Sequence, residues 1–154
     1  MTGVYDKLKA MGIILPEPPQ KAGVYVQCVE FGQNFVYVSG CGPTLNENDS
    51  MQGKLGEISI ELGQEAAKRC ALNALAILHR DLQDLNSIKK FVKSLTFVAS
   101  TNDFYEQPKV ANGASNLLIE IFGEEIGRSA RSAVGVNVLP DNIPVEIEYL
   151  IEIN

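Results

Sequence analysis

The chain has 154 residues, 45% of them apolar and 21% charged, and carries a formal net charge of -6. That length suits one domain with a real core, and the composition excludes a disordered chain. Scattered basic residues in an acidic chain argue against a non-specific nucleic-acid binder, which needs clustered Lys and Arg to displace counterions.

No apolar run reaches the roughly 18 residues that a bilayer-crossing helix needs, so no membrane partner is expected. Residues 1–15 lack the order of a signal peptide, and the three cysteines, Cys28, Cys41 and Cys70, form no CxxC pair. A reduced, cytoplasmic setting is the expectation. His79 is the single histidine, near a predicted helix end. A multi-histidine metal centre is thereby excluded, and neither a metal nor a cofactor is expected.

In chain order, Thr2 to Met11 predicts a short helix capped by Thr2 and stopped by Gly12, with Val4, Leu8 and Met11 on one stripe. Ile13-Ile14-Leu15 then runs into Pro16-Glu17-Pro18-Pro19, which must be extended. Residues 1–22 thus read as a helix and arm laid across the body formed by 23–154. A hairpin is predicted from Val24–Phe31 and Phe35–Ser39 through Gly32-Gln33-Asn34. It stops at Ser39-Gly40-Cys41-Gly42-Pro43, where two glycines permit a ligand to approach the backbone or simply make a turn. Cys41 is the thiol placed to line a site there. Residues 43–58 read as loop.

Ala67, Cys70, Ala71, Ala74, Leu75, Leu78 and Leu82 recur every three or four residues, so a helix is predicted from Glu61 to about Arg80. A strand follows over Phe91–Ser100. A second helix begins after Asp103 with Pro108 in its first turn and Gly123 as its stop. Ser129–Pro140 and Pro144–Glu148 then predict a closing hairpin around the turn Leu139-Pro140-Asp141-Asn142. The order ββ-α-β-α-ββ predicts an α+β layer with two helices on one face of a mostly antiparallel sheet. The other face keeps apolar residues as well, so it is expected to bury itself against copies of the chain in a closed homo-oligomer.

The hairpin contains two charges that need an explanation, Arg131 and Glu146. In the simplest register Glu146 faces position 135, on the same face as Arg131 and roughly 13 Å from it along the ladder. A shift by two residues narrows that to roughly 7 Å. The pair is then either a cross-strand ion pair or a cradle for a small ligand.

Several motifs resemble one family. They are Gly23-Val24-Tyr25-Val26-Gln27, Val38-Ser39-Gly40, the Gln64-to-Leu78 helix, Thr96-Phe97-Val98 and Asn102-Asp103-Phe104. The strongest are Ala130-Arg131-Ser132-Ala133-Val134, Leu139-Pro140 and Val145-Glu146-Ile147-Glu148. Together they span about residues 23–154 and resemble the Rid family, reactive intermediate deaminases also called the YjgF or L-PSP endoribonuclease family. The resemblance implies a chorismate-mutase-like fold and a homotrimer with a central barrel and clefts between subunits. It implies hydrolysis of 2-imino and 2-enamino acids to 2-keto acids and ammonia. By motif, Arg131 holds the substrate carboxylate and Glu146 orients or activates water. Tyr25, Ser39, Gly40, Cys41, Asn112 and Ala133 fall at the substrate.

This chain departs from the better-known members in having Ala133 where they carry Cys, Cys41 where a polar residue is common, and a longer N-terminal arm. Those departures keep a second function in view, a non-catalytic module binding small carboxylates. Ribonuclease or translation inhibition, which one family name suggests, fits poorly with the acidic balance. Chorismate mutase activity rests on fold likeness alone.

Overall fold

The computed structural model describes residues 3–154. The predicted cap Thr2 lies outside them. Helix α1 spans Val4–Ala10 and buries Val4 and Leu8. Its first amide, on Val4, donates to Asn86 Oδ1 (3.0 Å), and the Leu85 amide donates to the Tyr5 hydroxyl (2.9 Å). Gly12, at φ 66°, turns the chain, and Ile13 and Leu15 pack against the core as the arm begins.

Strand β1 covers Cys28–Phe31 and β2 Phe35–Cys41. The first strand is shorter than its sequence suggests, because Val24–Gln27 are irregular and stay outside the ladder. Helix α2, Ile60–Leu82, starts where the Ser59 hydroxyl accepts from the Leu62 amide (3.2 Å). Its small buried stripe of Ala66, Ala67, Cys70, Ala71 and Ala74 lets the helix lie close to its neighbours. Strand β3 covers Ile88–Ala99. Helix α3, Gln107–Phe122, has Pro108 in its first turn and ends at Gly123, φ 83°. Gly113 of α3 sits so close to α2 that a Cβ would collide with the Gln64 backbone. A short helix not legible in the sequence, α4 (Glu124–Gly127), leads into β4, Ala130–Val136; β5 is Val145–Ile153.

The sheet order is β1-β2-β5-β3-β4. The β1–β2, β2–β5 and β3–β5 pairs are antiparallel and β3–β4 is parallel, so the sheet is mixed. The predicted closing hairpin is therefore corrected. β4 and β5 do not pair; β5 inserts between β2 and β3, while β4 returns through α3 to the outer edge of β3. The composition of the two strands explains the choice. Val145, Ile147, Tyr149 and Ile151 of β5 are all buried, as suits a central strand, whereas β4 is short-sided and carries an arginine. Asp141 and Asn142, both at φ near 57°, turn the chain away between them.

One sheet face carries α2 and α3. The other is open. On it Val29, Phe31, Phe35, Tyr37 and Val134 are each 37–49% exposed, and Leu95, Phe97 and Leu150 lie among them by register. An apolar face spanning all five strands is more than a lone soluble domain ordinarily leaves uncovered.

Candidate functional site

Arg131 aligns with Ser94 and Glu146 with Phe97, on opposite sides of β3. An odd offset along one strand puts the two charges on opposite faces of the sheet, with backbones roughly 14 Å apart. The same-face reading of Arg131 and Glu146 is thus corrected, because it depended on a hairpin that does not form. One copy of the chain does not bring the two together.

Glu146 projects from the open face into a cleft of about 700 Å³. Tyr25, Ser39 and Gly40 line it, with Gly42, Thr44 and Asn73 on one side and arm residues Pro19, Gln20 and Ala22 on another. Glycine at position 40 leaves room for the Glu146 carboxylate, which a Cβ there would force to move. A bulge between Val38 and Cys41 opens the strand at this point. The Ser39 amide donates to the Gln27 carbonyl (2.9 Å) and its hydroxyl to the Val26 carbonyl (2.7 Å), which ties the irregular Tyr25 segment to β2. The half-buried Glu146 carboxyl is held above the ordinary carboxylate range, first by burial and then by the Glu148 charge. It is a stronger base than an exposed carboxylate would be. A second cleft of about 740 Å³, between α1, the arm and α2, contains none of Tyr25, Ser39, Gly40 and Glu146.

Arg131 lies on the helix-facing side of the edge strand. Its Nη1 donates to Asn112 Oδ1 (2.9 Å) and Ser115 Oγ (3.1 Å), both on α3. Among the described residues no carboxylate pairs with it, and Nη2 and Nε have no hydrogen-bond partner. The side chain is oriented while most of its five donors stay open for a planar anion. Asn112 is therefore beside Arg131, not in the Glu146 cleft. Ala133, two residues on, faces the same side as Arg131 by register with Thr96. Cys41 lies in the core, 3% exposed, with Sγ donating to the Ser39 carbonyl (3.4 Å). Burial pushes its thiol up to about 12, so it stays protonated and does not form the cleft wall.

Three contributors were not singled out from sequence. Ser115 is one helical turn from Asn112, and that i, i+3 spacing was the available signal. Asn73 hides inside an apolar helix stripe; its Nδ2 donates to the carbonyls of Gly42 and Thr44 (2.9 Å each) and fixes that cleft wall. Gln27 joins the arm to the body through Pro19, described below. His79 contacts the Tyr5 hydroxyl through Nδ1 (3.0 Å), away from both charges. Among the described residues no group of His, Cys, Asp and Glu is arranged to hold a metal, and no helix is long and apolar enough to cross a membrane.

The chain's sequence and fold match known proteins along nearly its whole length. A curated relative, Protein TCP17 of Trypanosoma cruzi, is 43% identical over 98% of this chain and 94% of its own. A 2-iminobutanoate/2-iminopropanoate deaminase of Dermatophagoides farinae is 30% identical over 92% of this chain and 94% of its own. Among solved structures, the protein Atu1372 of Agrobacterium tumefaciens superposes with a TM-score of 0.87 at 39% identity, over 98% of this chain and 94% of that one. The family profile described as "YjgF/chorismate_mutase-like, putative endoribonuclease" matches residues 5–153. With its mixed α+β sheet and these relatives, the chain belongs to the YjgF/chorismate-mutase-like family, the Rid family of the sequence motifs.

Proposed function

We propose that this protein hydrolyses 2-imino and 2-enamino acids to 2-keto acids and ammonia, in a cleft completed by a second copy of the chain. The observation that carries the reading is the unpaired Arg131. An oriented guanidinium with no carboxylate partner among the described residues, on an edge strand, is suited to a substrate carboxylate supplied from outside its own subunit. Glu146 occupies the opposite face, beside an apolar surface that calls for cover. A closed homotrimer joined through that surface would bring Arg131 of one copy to the Glu146 cleft of the next. The name of the Dermatophagoides farinae relative supports the reaction class.

The chemistry follows from the groups. Arg131 binds the carboxylate of R–C(=NH)–COO⁻. Glu146 takes a proton from water as the water oxygen bonds to C2, and the C=N electrons move to nitrogen. Glu146 returns that proton to nitrogen, which gives the carbinolamine R–C(OH)(NH₂)–COO⁻ and restores the carboxylate. Transfer of the hydroxyl proton to nitrogen through Glu146, with cleavage of C–N, leaves the keto acid and ammonia. No thiol takes part, in keeping with Ala133 and with the protonated, buried Cys41.

A second reading, carboxylate binding without turnover, is favoured by the Ser39 hydroxyl, whose proton is committed to Val26 and is not offered to a substrate. Ammonia release from freshly generated 2-aminoacrylate and larger imino acids separates the two. Turnover in wild type that falls by about 10²-fold or more in Arg131→Ala, with the oligomer intact by light scattering, supports hydrolysis. Keto-acid binding without turnover selects the binding module. Full activity in Arg131→Ala removes both readings.

A further inference from the structure

We infer that the N-terminal arm, latched by Gln27, is the specificity wall of the Glu146 cleft and limits how long a side chain the 2-imino acid can carry. The inference rests on the proposed deaminase reading and adds its substrate selection.

Pro19, Gln20 and Ala22 of the arm face the same cleft as Glu146 and Tyr25. The part of the cleft that one copy lines is about 700 Å³, so room beyond a four-carbon acid remains for a second copy's residues and for a longer substrate side chain. Its reacting end is set by β2 and β5, which are paired strands and do not adjust. The arm is the wall farthest from regular structure, so it bounds what lies beyond the reacting carbon. Its shape is preset because Pro16, Pro18 and Pro19 restrict φ and have no amide to satisfy.

A single side chain holds it there. Gln27 Nε2 donates to the Pro19 carbonyl (2.6 Å), while Gln27 Oε1 accepts from Arg80 Nη1 (2.9 Å). Arg80 is itself paired with Asp81 (2.7 Å). The backbone of Gln27 accepts from the Ser39 amide, so one residue links arm, cleft strand and the end of α2. Among the described residues the Gln27–Pro19 bond is the hydrogen bond that fixes positions 14–23. Gln27 is a positioning residue; Gln20 is the side chain that would meet a long substrate.

Two full-length variants test this. Gln27→Glu keeps the acceptor for Arg80 and removes the donor to Pro19, so it releases the arm. Gln20→Trp fills the wall. Imines of 2-aminobutyrate and phenylalanine are generated in place by an amino-acid oxidase, and the ratio of kcat/KM, aromatic over four-carbon, is measured with wild type alongside. Gln27→Glu is expected to raise the ratio about tenfold, and Gln20→Trp to lower it about tenfold. A ratio unchanged in both variants, or both substrates changing by one common factor, overturns the inference. If Gln27→Glu does not fold, Gln20→Trp decides alone. If wild type turns over neither imine, the deaminase reading fails separately. The same ratio is then read from calorimetric binding of 2-ketobutyrate and phenylpyruvate. A shifted binding ratio sustains the arm as the wall, and an unchanged ratio or no binding ends that inference too.

Discussion

The two charged regions of this sheet are built in opposite ways. Glu146 is on the central strand, half-buried, crowded by Gly40 and by a second carboxylate, Glu148. Arg131 is on the edge strand, braced from behind by Asn112 and Ser115, with its other donors open. One region is a cleft with a base and, among the described residues, no cation in its lining. The other is a finished cation with no cleft. Their separation by a whole sheet teaches that one copy of the chain does not bring them together; under the proposed function they would meet only where copies pack against each other.

The largest expected effect tests that separation directly. Arg131→Ala and Glu146→Gln should each lower kcat/KM by about 10²-fold or more. Mixed after unfolding and refolding together, the two inactive variants should regain activity, because about a quarter of the clefts at equal ratio would pair an intact Arg131 with an intact Glu146 from different copies. Mixtures as inactive as the parents would mean that the two residues do not serve one intersubunit site.

Gly40→Ala attacks only the Glu146 half. The new methyl must displace the carboxylate, so activity should fall by at least about tenfold, while chemical denaturation should show a loss of no more than about 1 kcal/mol, the low end of overpacking, because the displaced atoms are the movable end of a side chain. Wild-type turnover in that variant would show that the Glu146 position is not critical.

The smallest effect is in pH. Glu146 must be ionised to act as a base, so kcat/KM should fall on acidification with a midpoint above the ordinary carboxylate value of 4.5. Glu148→Gln removes the lesser of the two causes and should move that limb to lower pH. Burial, the larger cause, stays. The stability sign is opposite to that of a salt-bridged acid. Folding raises this pKa, so the native state binds the proton more tightly and loses stability as pH rises through the window. Glu146→Gln should therefore melt slightly higher than wild type at neutral pH while being less active. A lower melting temperature there would contradict the cost assigned to burying the charge.

Much of this was present in the chain itself. Apolar periodicity located α2 and its packing stripe, Pro108 and Gly123 bounded α3, and the apolar alternation on both strand faces announced a sheet that needs cover. These are local properties, set by side-chain spacing and by backbone limits of a few residues. Arg131 and Glu146 also stood out locally, as charges in strands.

Where those charges meet was not local. Consecutive strands joined by a short turn ordinarily pair, and that expectation put Arg131 and Glu146 on one face. The tertiary structure decided otherwise, because β5, apolar along its buried side, gains more by lying between β2 and β3 than by pairing with β4 at an edge. The same competition placed Cys41 in the core and Asn73 at the cleft, since a strand bulge and a helix contact, neither written in residue type, set which side each one faces. Sequence determined the elements and the reactive groups. Pairing order, a property of the whole sheet's burial, determined which of them share a site.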